Sequence, residues 1–175
     1  MKQPIKRKIY ASNEILSIAQ YLTSDCKTDY ECWQETETQK GYNYIIKNSF
    51  DEFCGRKHNH RLYATVTLND ENKTLIGFIM LSPPDGLPDL AVRILKAYHG
   101  IGYGSSVFAL ATDYCVNSLG YDKIYAGCYE TNNVSKKMLF KCGYKPHPDG
   151  NIISTDVFSG EKITQYDYVF EKNSK

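Results

Sequence analysis

The most regular alternation in the chain is RLYATVTL (61–68). Leu62, Ala64, Val66 and Leu68 share one face, the period of a strand with one side buried. KTLIGFIML (73–81) is nearly continuous in apolar residues, as a strand covered on both faces should be. NDEN between them is turn chemistry, so the two runs read as an antiparallel hairpin. SPPDGLP (82–88) follows as a rigid loop, because proline lacks a donor and Asp-Gly favours a turn. DLAVRILK (89–96) is the next strand. Upstream, Ile5 to Tyr10 is a first strand. Ser12 or Asn13 is placed to cap a helix bearing Ile15, Leu16, Ile18, Ala19 and Leu22 at helical spacing. A polar loop leads to a second helix over about 35–53, with Tyr42, Ile45, Ile46, Phe50 and Phe53 inward. Downstream, a helix over 103–119 turns Val107, Leu110, Ala111, Tyr114 and Cys115 inward and ends at Gly120, where a left-handed residue is wanted. KIYAGCY (123–129) is a strand. Thr131 or Asn132 caps a short helix running to Gly143, apolar at Val134, Met138, Leu139 and Cys142. NIISTDVFSGEKITQYDYVF (151–170) reads as two strands around Ser-Gly-Glu. The order β α α β β β α β α β β predicts a single domain over 1–175, a mixed α/β layer fold.

Charge narrows the partners. The 175 residues carry a net charge of +1, without a basic stripe. Lys2 to Lys8 is short and terminal, so a nucleic-acid partner is not expected. No apolar run approaches the roughly 20 residues a spanning helix needs, so no membrane is expected. MKQPIKRKIYASNE lacks the apolar stretch of a secretion signal, and the protein is expected to be cytoplasmic. The six cysteines, Cys26, Cys32, Cys54, Cys115, Cys128 and Cys142, form no Cys-x-x-Cys pair and read as free thiols. CGRKHNH (54–60) places Cys54, His58 and His60 close together but offers no fourth ligand among basic neighbours. It reads as a polar loop, and no metal is expected.

The unusual stretch is YHGIGYGSS (98–106). Gly100, Gly102 and Gly104 precede the 103–119 helix, and there is no Asp or Glu between Leu90 and Thr112. A helix N-terminus carries unpaired amides and about half a positive charge. With no acidic residue to complement it, strand, glycine turn and helix suit a phosphate; a flexible turn is the plain alternative. A P-loop is excluded because Ser105-Ser106, not Lys-Ser/Thr, follows Gly104. A dinucleotide fingerprint fails because the spacing is G-x-G-x-G and the preceding strands form a hairpin.

These residues carry a resemblance. His99-Gly100-Ile101-Gly102-Tyr103-Gly104 resembles the pyrophosphate loop of the GNAT superfamily of N-acetyltransferases, Arg/Gln-x-x-Gly-x-Gly/Ala. ETNNVSKKMLFKCGYK (130–145) resembles a second element of that family: Asn-x-x-Ser, a short helix, then Gly-Phe/Tyr. Asn132, Ser135 and Gly143-Tyr144 fill its positions. The Asn-x-x-Ser form is similar to the branch that includes the ribosomal-protein-alanine acetyltransferases. The strand order agrees over about 5–171. The resemblance implies a mostly antiparallel central sheet with helices on both faces, and acetyl-CoA as donor. It implies that the backbone of Gly100, Ile101, Gly102, Tyr103, Gly104 and Ser105 holds the pyrophosphate. Arg93, Ile94 and Leu95 would pair with the pantetheine arm where the 89–96 and 123–129 strands splay apart. Asn132 would bind pantetheine or nearby backbone, and Ser135 and Lys136 would contact the cofactor. His99 stands where the family has Arg or Gln, and Leu139 where many members have a proton-donating Tyr. Ser135 is the implied acid in its place, though its hydroxyl equally fits a helix N-terminal hydrogen bond.

Acyl transfer to an amine requires the free base, so a carboxylate or His must take a proton. Asp89 and Glu130, at the ends of the two splayed strands, are the candidates, each also readable as solvated strand-end charge; His147 and Glu161 rank behind them. An amide within Val92 to Ile94 would stabilise the oxyanion. Tyr30, Trp33, Tyr42 and Tyr44 fit either an acceptor wall or ordinary packing. The expectation is an N-acetyltransferase acting on an unidentified primary amine, as monomer or homodimer. A non-catalytic acyl-CoA-binding module of the same fold and a nucleotide-phosphate binder are the alternatives.

Overall fold

The structure, a computed structural model, describes residues 6–172. Its first sheet runs β1 (Ile9–Ser12), β2 (Leu16–Gln20), β3 (Leu62–Leu68), β4 (Leu75–Leu81), β5 (Leu90–Ile94), with neighbours antiparallel throughout. The part of the expected first strand at Ile5, and Lys2 of the basic segment, lie outside the described residues. A second sheet is built on β9 (Lys162–Glu171), which pairs with β6 (Lys123–Tyr129), β7 (Lys145–Pro146) and β8 (Ile152–Thr155). One parallel bridge, Asp89 with Tyr125, joins the two sheets, beside the Tyr125 amide's bond to the Pro88 carbonyl at 2.9 Å. Among the described residues β5 and β6 pair with each other nowhere else, so a cleft opens toward their C-terminal ends.

Helices cover both faces. Leu62, Ala64 and Val66 pack in one apolar cluster with Val107, Phe108 and Ala111 of α4 (Tyr103–Asn117). On the opposite face, Thr65 and Tyr63 donate to Asp25 (2.7 Å) and Asp29 (2.6 Å), at the start of and within α1 (Cys26–Gln34). The buried face of α4 is Val107, Phe108, Ala111, Thr112, Cys115 and Val116; Leu110 and Tyr114 lie at its margin. Gly120 has φ 80°, the left-handed end anticipated. Among the described residues no helix is long and apolar enough to cross a membrane.

Three local expectations are corrected. Residues 15–22 hold a strand instead of a helix. The Asn13 side-chain oxygen accepts the Ile15 and Leu16 amides at 2.9 Å each and folds the chain back as a hairpin. Leu16, Ser17, Ile18 and Ala19 are then buried on both faces, a run whose period does not separate strand from helix. The long helix over 35–53 is two pieces, α2 (Thr36–Tyr42) and α3 (Phe50–Gly55). Asn43 breaks it in the left-handed conformation, φ 48°, and Ser49 and Glu52 start α3 with a reciprocal capping box. The preceding loop is largely α1. Finally, Cys26 and Cys54 are disulfide-bonded, their Cα atoms 5.8 Å apart, so they are not free thiols. The bond also takes the Cys54 sulfur out of any ligand set. Cys32, Cys115 and Cys128 are free and buried, and Cys142 is half-buried.

Candidate active site

The turn between β5 and α4 is held from several sides. Both Glu35 carboxylate oxygens accept the Lys96 amide at 3.1 and 3.2 Å, and the Lys96 ammonium pairs with Glu37 at 2.8 Å. His99 Nε2 lies 2.6 Å from the Ile94 carbonyl; a carbonyl only accepts, so Nε2 carries the proton. Gly100 and Gly102 have φ of 75° and 97°, a conformation that strains any residue with a Cβ, and the space beyond both is open. Ile101 is exposed between them. The first helical bond of α4 is Ser106 N–H to Gly102 O. The amides of Tyr103, Gly104 and Ser105 precede it. No side chain caps α4, and its first turn has no acidic residue. The fixed partial positive charge therefore faces open space.

The β5 backbone continues this donor character. Leu95 N–H bonds Ile76 O, and Ser82 N–H bonds Asp89 O, each at 2.9 Å, so odd-numbered residues turn their backbone groups toward β4. Leu90, Val92 and Ile94 turn theirs toward the cleft. Two of those carbonyls are occupied: Val92 O accepts the Tyr42 hydroxyl at 2.9 Å, and Ile94 O accepts His99. The amides of Val92 and Ile94 remain, and the edge donates there without accepting. Of Arg93, Ile94 and Leu95, expected beside the pantetheine arm, Ile94 alone turns its backbone groups toward the cleft. The Arg93 side chain is fully buried on the α1 face, donating to Asp29 at 2.6 Å and to the Tyr63 hydroxyl at 2.8 Å.

On the opposite wall, Asn132 is the N-cap of α5 (Asn133–Lys141), its side-chain oxygen accepting the Ser135 amide at 3.1 Å. Ser135 lies half-buried in the first turn. The Lys136 ammonium donates to the Glu130 carbonyl at 2.7 Å and lies 5.0 Å from the Tyr166 ring centre. Leu139 is a core residue, in the same apolar cluster as Tyr144.

The two carboxylates separate. Glu130 accepts the Thr164 amide at 2.8 Å and holds β9; its carboxylate is a strand fastener. Asp89 stands where the sheets part, and no donor reaches its carboxylate among the described residues. Burial first, and the Asp167 charge second, push it up to about 7. Asp167 is itself fixed by His147 Nδ1 at 2.7 Å.

Comparison with known proteins places the fold. A family model described as an acetyltransferase (GNAT) domain matches residues 10–145. The chain belongs to the GNAT acetyltransferase family. Among curated proteins none matches its sequence. A GNAT-family acetyltransferase from Bacillus anthracis superposes with a TM-score of 0.73 at 17% identity, over 92% of this chain and 97% of that one. Spermidine N-acetyltransferase from Vibrio cholerae, in complex with CoA and spermine, gives 0.77 at 17% identity, over 91% and 96%. The microcin C7 self-immunity acetyltransferase MccE, with acetyl-CoA and AMP, gives 0.71 at 11% identity, over 91% and 94%. At these identities the likeness is one of fold.

Two features of this GNAT chain escaped sequence reading. One is the Tyr42 hydroxyl on Val92, which needs α2 to be folded against β5 before it exists. The other is Asp167 beside Asp89, a pairing across the junction of two sheets. Neither has a local signal. Trp33, Tyr42 and Tyr44, by contrast, stood out by composition, and the three rings pack edge-to-face around Trp33.

Proposed function

We propose that this chain, as a single domain spanning 1–175, transfers the acetyl group of acetyl-CoA to a primary amine. One observation carries the reading: an uncapped helix start of positive character adjoins a strand edge that offers amides at Val92 and Ile94. Both suit a donor molecule with a pyrophosphate and an arm of amide and thioester carbonyls, and the open space beyond Gly100 and Gly102 leaves room for it. Two neighbours of this fold are complexes with CoA or acetyl-CoA, which supports the same donor. When bound, acetyl-CoA supplies an acyl group activated as a thioester.

In this reading, the amides of Gly100 to Ser105 hold the diphosphate, Ile94 N–H aligns the arm, and Val92 N–H faces the charge developing on the acetyl oxygen. Asp89 accepts the amine proton as the new C–N bond forms and the C–S bond breaks. The Ser135 hydroxyl relays a proton from solvent to the departing thiolate, taking one from water as it gives its own, and Asp89 later releases the amine proton to solvent. Asn132 fixes the α5 start that carries Ser135, an arrangement that supports the proposed likeness to the Asn-x-x-Ser branch that includes the ribosomal-protein-alanine acetyltransferases.

Calorimetry tests the donor site. Acetyl-CoA should bind, and Gly102→Val should weaken binding by about tenfold or more, equivalent to roughly 1.4 kcal/mol. No heat of binding at millimolar acetyl-CoA would end the reading. Leu139 in place of a hydroxyl favours one alternative, an acyl-CoA-binding module; binding without CoA release across a panel of amines would establish it.

A further inference from the structure

A pocket of about 250 Å³ opens among α1, α2 and α3, lined by Trp33, Tyr42, Tyr44, Ile46, Phe53 and Arg56. An apolar cavity of about 150 Å³ takes one benzene ring, so this one holds a ring and a few further atoms. Its walls have specific chemistry. The Trp33 ring is braced by the buried Arg93 guanidinium, 4.2 Å from its centre, and by Tyr42 and Tyr44 edge-on at 5.0 and 5.4 Å. Trp33 Nε1 is buried without a hydrogen-bond partner among the described residues. Arg56 is the one charged residue of the lining. Its guanidinium lies 3.7 Å over the Phe53 ring, and no carboxylate pairs with it among the described residues. The pocket adjoins the β5 edge through one side chain: the Tyr42 ring lines the cavity while its hydroxyl holds Val92 O.

We propose that this pocket binds the acceptor, and that the acceptor is an amine carrying an aromatic ring and a carboxylate, the chemistry of an aromatic amino acid. The inference rests on the acetyl-transfer reading and deepens it. The ring packs among Trp33, Tyr44 and Phe53. The carboxylate takes the charge of Arg56, and the amine is left toward the Val92 edge. A polyamine is disfavoured on two counts, since the lining has no carboxylate and its single charge is positive.

Trp33 is the one tryptophan of the chain, so its emission reports occupancy without turnover. Titration of the full chain with L-phenylalanine should change that emission saturably, and spermidine should not. Arg56→Ala should weaken L-phenylalanine by about tenfold while leaving phenethylamine, which lacks the carboxylate, within about twofold. With acetyl-CoA present, L-phenylalanine should release CoA at least about tenfold more efficiently than spermidine. Absence of a saturable change with L-phenylalanine, an equal response to spermidine, or equal weakening of both ring-bearing amines by Arg56→Ala overturns the assignment. CoA release with spermidine but not with L-phenylalanine overturns it while leaving acetyl transfer intact. A full emission response with no CoA release from any amine removes acetyl transfer, and the acceptor role with it.

Discussion

The two sides of the cleft are built from different materials. The side of α4 and the 99–105 turn works with backbone: free amides, left-handed glycines and a helix terminus without a cap. The side of α1, α2 and α3 works with side chains: rings packed edge-to-face, a buried guanidinium, and a disulfide tying Cys26 to Cys54. Backbone donors recognise a group common to every donor molecule and change little when neighbouring side chains change. Side-chain walls are specific and can be rebuilt one residue at a time. A constant substrate suits the first side, and a variable one suits the second.

The largest expected effect falls on the side-chain half. Asp29→Ala leaves the fully buried Arg93 without its carboxylate, and should cost roughly 3–5 kcal/mol in urea unfolding. A loss below about 1 kcal/mol would mean that the rings of Trp33, Tyr63 and Phe78 hold the charge unaided.

Asp89→Asn comes next and acts at the junction of the two halves. Turnover should fall by about a hundredfold or more. In the wild type, kcat/KM should rise with pH through about 7 as Asp89 loses its proton, and the variant should lack that limb. Asp167→Asn removes the negative neighbour, lowers the Asp89 pKa, and should move the limb to lower pH. Stability runs the other way. The folded protein keeps a proton on Asp89 that the unfolded chain releases near the ordinary carboxylate value of about 4, so this residue's contribution falls as pH rises from about 4 to 7. Asp89→Asn should therefore melt higher than wild type at pH 8 and match it near pH 4. A variant no more stable at pH 8 would show the carboxylate to be well solvated.

Tyr42→Phe is the mildest break and the sharpest comparison. It keeps the ring in the pocket wall and frees Val92 O. The expected loss of stability is about 1 kcal/mol. Acetyl-CoA affinity should stay within about twofold, because the affected carbonyl is not a donor. A large loss of donor affinity would show that the two walls are not independent.

The backbone half was also the more legible half. Glycine spacing, the absence of acidic residues from 91 to 111, and the Asn132 cap are local signals, and each lies where the chain order placed it. The 62–81 hairpin was readable for the same reason, since alternation, turn and apolar run are contiguous. The 15–22 segment was misread because a strand buried on both faces has no period to display, and Asn13 acts as a turn residue as readily as a helix cap. Asn43, a break in the middle of an apparent helix, is one residue in an unusual conformation. The Cys26–Cys54 bond, the pairing of Arg93 with Asp29 and the Tyr42–Val92 contact join positions distant in sequence, and periodicity says nothing of them. Asp89 and Glu130 looked equivalent as strand-end acids; three-dimensional surroundings alone made Glu130 a fastener and left the Asp89 carboxylate without a donor among the described residues.

The single Asp89–Tyr125 bridge means that no ladder of hydrogen bonds fixes the angle at which the sheets diverge. That angle is set from beneath, by α4, which touches β5 and β6 alike. Changes of side-chain bulk at Val107, Phe108 or Ala111, remote from any reacting atom, would widen or narrow the aperture as a wedge does under a hinge. Sequence drift in the interior is thus a route by which such a catalyst is retuned to acceptors of different girth while its reacting groups stay as they are.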